Sequence, residues 1–214
     1  RDSRKPDLSA SLRLPDSRHS NSTSLSRRTG KANDFIVTES ERTKGREHSF
    51  IHITDTEVTG GMGRWVTDLQ QYIKNEQPAF LIHTGDICYE PGLTMHNQVV
   101  NAQTMDCPVY YCIGNHDLVK GNYGEELYES IYGPTWYSFD IGNVHYVVTP
   151  IDHGDNPTDY TQRDVYNWLK NDLALMKKDQ RLFFLTTTCL LPAITSYSRQ
   201  TKRISSTSVR STRK

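Results

Sequence analysis

Three short stretches of the chain put metal-binding or proton-transferring side chains directly after apolar runs. Asp55 follows Ser49-Phe50-Ile51-His52-Ile53-Thr54, with Glu57 two residues on. Asp86 follows Ala79-Phe80-Leu81-Ile82-His83 through Thr84-Gly85, and Asn115-His116-Asp117 follows Pro108–Ile113 through Gly114. The intervals Asp55 to Asp86 and Asp86 to Asn115, 31 and 29 residues, each leave room for one strand–helix–strand unit. If the apolar runs are parallel strands, their polar ends share the carboxyl edge of one sheet, where α/β proteins place their sites. Two carboxylates, an amide oxygen and an imidazole then face one crevice. Hard oxygen donors with one nitrogen suit a divalent ion such as Mn, Fe, Zn or Mg. Gly85 and Gly114 allow the backbone to turn sharply beside such a site. For Glu57 two readings stand level, a metal-binding carboxylate and a solvated loop acid.

The elements that must position these residues are legible as a strand–helix alternation. Ser49–Thr54, Ala79–His83 and Pro108–Ile113 read as buried strands. A helix is expected from about 63 to 75, where Trp65, Leu69, Tyr72 and Ile73 form one stripe. A weaker helix is expected over about 93–104, and a short one near 124–132. Trp136–Asp140 and Val144–Thr149, joined by Ile141-Gly142-Asn143, read as a hairpin. Thr161 with Asp164 three residues on reads as a helix N-cap; that helix is expected to run to about Lys178, before a last strand at Arg181–Thr186. The pattern is α/β, a sandwich with a mostly parallel sheet.

Charge divides the chain differently. Lys plus Arg and Asp plus Glu both total 25. Residues 1–31 hold eight basic and three acidic side chains, and residues 189–214 six basic and none acidic, so the middle is strongly acidic. Hydrophobic residues are 35% of the 214, too few for a core running the full length. The expected organisation is a basic, disordered or irregular segment at 1–47, one domain at 48–188, and a basic Ser/Thr-rich tail at 189–214. Cys88, Cys107, Cys112 and Cys189 follow no Cys-x-x-Cys spacing and read as free thiols. No apolar run reaches the ~18 residues of a membrane span, and no signal peptide is visible. The first residue is Arg1, so a natural start further upstream is expected, and neither compartment nor oligomeric state can be read.

The three blocks Asp55-Thr56-Glu57, Gly85-Asp86 and Gly114-Asn115-His116-Asp117 resemble the calcineurin-like metallophosphoesterases over about residues 49–188. The stretch Trp136–His145 is similar to the hairpin that comes after those blocks in the family. The resemblance implies a four-layer α/β/β/α sandwich and a two-metal site that activates water for attack on a phosphoryl group. It implies that Asp55 binds one metal, Asp86 bridges both and Asn115 binds the second. It assigns His116 to protonating the leaving oxygen, with Asp117 as its orienter, and places Asn115 and His116 against the substrate.

The chain departs from the family pattern in two places. Glu57 stands where the family carries His. The last strand runs into Thr186-Thr187-Thr188-Cys189, where the family places further histidines, and no Gly-His-x-His block occurs. The expectation is a sandwich incomplete on its C-terminal side, truncated or scrambled near Thr188, with a natural basic tail as the alternative. A metal-dependent phosphoester hydrolase acting on a phosphorylated small molecule, weakly active or inactive in this chain, is the expected function. The alternative is a non-catalytic sandwich that binds through its basic tails, with salt-sensitive phosphate contact and no specific nucleic acid. Asp55 and Asp86 as helix-capping acids, and Asn115-His116 as a plain polar turn, are the bland readings of the same residues. His52, His83 and His145 read as packed core residues and His153 as a solvated loop residue. His96 carries no case. Tyr89 reads as packing in the core or pocket wall, ahead of a tyrosinate ligand in a Gly-Asp-x-x-Tyr motif.

Overall fold

The computed structural model describes residues 40–43, 47–58, 61, 63–151 and 153–187. Expectations for most of 1–47 and for 189–214, including both basic tails and Cys189, lie outside the described residues.

The three apolar runs form strands β1 (Phe50–Ile53), β2 (Phe80–His83) and β3 (Val109–Tyr111), parallel and side by side in the order β1-β2-β3. The connections are right for parallel pairing: α1 (Trp65–Glu76) links β1 to β2, and α2 (Glu90–Val99) with α3 (Ala102–Met105) links β2 to β3. The single weak helix expected at 93–104 is thus two. Val100 is extended, and the Asn101 side chain accepts from the N–H groups of Gln103 and Thr104, so a new helix starts there.

A short helix α4 (Glu126–Tyr132) leads to the second sheet. Strands β4 (Tyr137–Ile141) and β5 (Val144–Thr149) make the expected hairpin, and β6 (Arg181–Thr186) pairs parallel to β5. Helix α5 (Gln162–Leu173) crosses between β5 and β6, opened by the capping box of Thr161 and Asp164. It ends before Lys178 because the chain tightens into three-residue turns, Leu175 N–H to Asp172 O and Met176 N–H to Leu173 O.

Period-2 alternation decides the layers. Phe80 and Ile82 of β2 point toward Phe139, Tyr146, Val148 and Leu185 of the second sheet, forming an aromatic-rich core between the sheets. Leu81, one residue out of step, points the other way, onto Val66 and Ile73 of α1 and Met105 of α3. On the far side, Val147 with Leu182 and Phe184 packs on Trp168, Leu169 and Leu173 of α5. The order is helix, sheet, sheet, helix, an α/β sandwich of four layers.

One polar cluster ties the second sheet to its helix. His145, fully buried on β5, holds Asp140 Oδ1 with Nδ1 at 2.6 Å and Asp172 Oδ2 with Nε2 at 2.8 Å. Ser138 donates to Asp172 Oδ1 and Gln180 to Asp140 Oδ1, both at 2.8 Å. His145 is therefore buried as expected, but by ionic rather than apolar neighbours.

Candidate active site

Parallel pairing in the order β1-β2-β3 brings the three polar loops to one edge of the sheet. The pairing runs on past the strands: Asp55 N–H donates to Gly85 O at 3.0 Å, Glu57 N–H to Asp86 O at 3.1 Å and Val58 N–H to Ile87 O at 2.8 Å. The third loop is fastened to the second through the His116 N–H, which donates to Asp86 Oδ1 at 3.2 Å. Two glycines make this approach possible. A Cβ on Gly114 would lie 2.2 Å from Asp86 N, and one on Gly85 would lie 2.6 Å from Gly114 N.

The backbone here is unusual. Seven non-glycine residues have positive φ among the described residues, and five of them, Asp55, Glu57, Asp86, Cys88 and Tyr89, occupy the first two loops. Left-handed backbone of this kind disfavours residues with a Cβ and gathers at functional sites. Asp55 and Glu57 are exposed, and Asp86, Asn115 and His116 are half-buried. The Asp55 carboxylate also accepts the Thr54 hydroxyl at 2.7 Å.

His116 and Asp117, adjacent in sequence, are used in opposite ways. Asp117 is fully buried, its Oδ1 accepting from Cys88 N–H and its Oδ2 from Gly114 N–H, both at 2.9 Å. It fastens the second and third loops together, and burial pushes its carboxyl above the usual range. The carboxylate on the ring of His116, where Asp117 is expected as orienter, is that of Asp155, whose Oδ2 lies 2.9 Å from His116 Nδ1. That bond, against a small effect of burial, raises the imidazole above its ordinary value. Tyr89 stands at the site's rim rather than in the core, 46% exposed with its ring 5.8 Å from that of His116.

Two residues here were not among the expected site residues. Asp155 sits in a loop without periodicity. Thr187, just past β6, places its hydroxyl 2.7 Å from Thr84 O and 2.8 Å from Ile113 O, bringing the second sheet's edge to the ends of β2 and β3. Of the other histidines, His83 is buried as expected, Nδ1 accepting from Gly85 N–H at 3.2 Å and Nε2 lying 3.0 Å from Thr56 Oγ1. Burial, with His96 and His52 nearby, holds it well below its ordinary pKa. His52 is not core: it is exposed on β1, which has no further strand beside it among the described residues, and it bonds Thr84 Oγ1 at 2.7 Å. His153 lies exposed in its loop. His96 is fully buried, with no hydrogen-bond partner for either ring nitrogen among the described residues.

Residues 48–201 match the calcineurin-like phosphoesterase family. The chain belongs to that family. No curated protein matches it. Metal-dependent hydrolysis of phosphoesters is the chemistry of calcineurin-like phosphoesterases in general, with phosphorylated small molecules as the substrate class. No helix among the described residues is long and apolar enough to cross a membrane. Asp55, Asp86 and Asn115 suit a hard divalent ion in kind, but not in number. Among the described residues no three His, Cys, Asp or Glu side chains come together as a metal-binding group. Among the described residues the thiols do not substitute: Cys88, Cys107 and Cys112 are buried and free, and burial pushes Cys88 up to about 12.

Proposed function

We propose that this calcineurin-like phosphoesterase is built for phosphoester hydrolysis on the edge formed by Asp55, Asp86 and Asn115, and that residues 1–214 perform it weakly. Asp55 and Glu57 would hold one divalent ion, Asp86 would be shared, and Asn115 would face the second. Such a pair, where bound, supplies hydroxide near neutral pH and clamps a phosphoryl group. Asn115 and His116 face the phosphoryl group, and His116 gives a proton to the leaving oxygen. The observation that carries this reading is His116 itself, fixed to Asp86 through its backbone and to Asp155 through its ring. A proton donor fastened beside the carboxylates has a use in cleaving a P–O bond.

The ligand shortfall sets the expected rate. A second ion left with Asp86 and a neutral amide is held poorly. Mn, Fe, Zn and Mg titrations by calorimetry, with turnover of aryl phosphates and phosphodiesters, test this on the full chain and on Asp86→Asn. Weak binding and low turnover, both reduced further in Asp86→Asn, are expected. Two tightly bound ions per chain, or fast turnover abolished by Asp86→Asn, would refute the shortfall.

A further inference from the structure

His116 belongs to the first sheet's edge, and the carboxylate on its ring arrives from the second. Asp155 lies in the loop between β5 and α5, 39 residues away in sequence. That loop is seated on the turn carrying His116 by bonds that do not involve the Asp155 side chain. Asp155 N–H donates to Asn115 O at 3.1 Å, and the Asn156 amide donates to Leu118 O at 2.6 Å. Gly124 N–H donates to Pro157 O at 2.8 Å, and Asp159 N–H to Glu125 Oε1 at 2.7 Å. Gly154 lets the two segments touch, since a Cβ there would lie 2.5 Å from Asn115 O and 2.6 Å from Leu118 Cδ1. The Asp155 carboxylate is thus held against His116 by the loop beneath it. Asp117 does not take its place, because its side chain is fully buried and turned to the backbone N–H groups of Cys88 and Gly114.

We infer that Asp155 is the positioning residue for His116, fixing its ring as the Nδ1–H tautomer with Nε2 turned to the leaving oxygen. A carboxylate only accepts, so the nitrogen facing it must carry a proton. When the imidazolium gives its Nε2 proton to the leaving oxygen, the Nε2–H bond breaks and an O–H bond forms. The ring becomes neutral with its remaining proton on Nδ1, the form that Asp155 stabilises. The proton on Nε2 is restored from water after product leaves. This role rests on the hydrolytic reading, but the tautomer does not.

Long-range proton–nitrogen NMR on the histidine-labelled full chain tests the tautomer, with His116 assigned by its loss in His116→Gln. At alkaline pH, where the ring is neutral, the unaltered chain should show Nδ1–H at His116. Asp155→Ala should turn it largely to Nε2–H, and Asp155→Glu should restore Nδ1–H in part. Nε2–H in the unaltered chain, or no change in Asp155→Ala, would overturn the inference. A second arm compares 4-nitrophenyl phosphate with phenyl and alkyl phosphates. Asp155→Ala should slow the poor leaving groups by roughly ten-fold or more beyond the good one. An equal loss on all esters would overturn positioning. The expected tautomers in a chain with no turnover on any ester would support the assignment of Asp155 and count against the hydrolytic reading instead.

Discussion

Replacing His145 by Leu measures how much the cluster between β5 and α5 contributes to stability. A neutral imidazole has one N–H, yet both ring nitrogens face carboxylates, Asp140 at 2.6 Å and Asp172 at 2.8 Å. Only the imidazolium satisfies both. Burial opposes that charge, but the bonds to Asp172 and Asp140 outweigh it and raise the ring above its ordinary value. His145→Leu removes the cation that faces the Asp172 carboxylate, which is 4% exposed. Breaking a buried ion pair from one side costs about 3–5 kcal/mol. With a urea dependence of about 2 kcal/mol per molar, the midpoint should fall by about 2 M. Because the folded pKa lies above the unfolded one, the stabilisation is complete below the ordinary histidine value of about 6.5 and is lost as pH rises through the folded value. Urea unfolding of both proteins below that value and well above it should give a gap that is largest on the acid side. A gap under about 1 kcal/mol, or one that does not shrink with rising pH, would refute the reasoning.

Two further substitutions probe the site's surroundings. His96→Phe keeps the ring contacts to His83, Tyr111 and Trp65 while removing two buried nitrogens that have no hydrogen-bond partner among the described residues. It should stabilise by about 1–2 kcal/mol in thermal melts. Burial lowers His96 to about 4, so the native chain loses stability as pH falls from the ordinary value toward that point, and the variant's loss should be shallower; equal acid slopes would contradict this. Gly114→Ala places a Cβ 2.3 Å from Asp86 Oδ1. It should cost about 1–3 kcal/mol and weaken any thermal shift given by Mn, whereas an unchanged melt would mean that the two loops stand further apart.

Sequence pattern revealed what lies on regular elements. The strand ends at Asp55, Asp86 and Asn115 were legible because each comes after an apolar run, and their convergence is a consequence of parallel pairing alone. The Thr161 capping box and the hairpin at Gly142-Asn143 were legible because both are local. What was not legible depends on side-chain direction or on distant chain. Asp117 and Asp155 are both acids near His116, and nothing in their types says which one turns inward to backbone N–H groups. The His116–Asp155 bond needs both sheets in place. The break at Val100–Asn101 turns on one side-chain cap inside a stretch whose periodicity is continuous. His52 read as core from its strand, but the neighbour that would cover an edge strand is not a local property.

The left-handed backbone at Asp55, Glu57, Asp86, Cys88 and Tyr89 sets robustness against chemistry. Each such residue forgoes about 1 kcal/mol or more that glycine would not. A laboratory selection for heat resistance alone would therefore drift toward glycine at these positions, and three of them carry the oxygen donors on which the proposed reaction depends. Gains in melting temperature in these two loops would come with loss of the site. Thermostable variants meant to keep it are better sought in the packing beneath α1 and α5, where no donor is at stake.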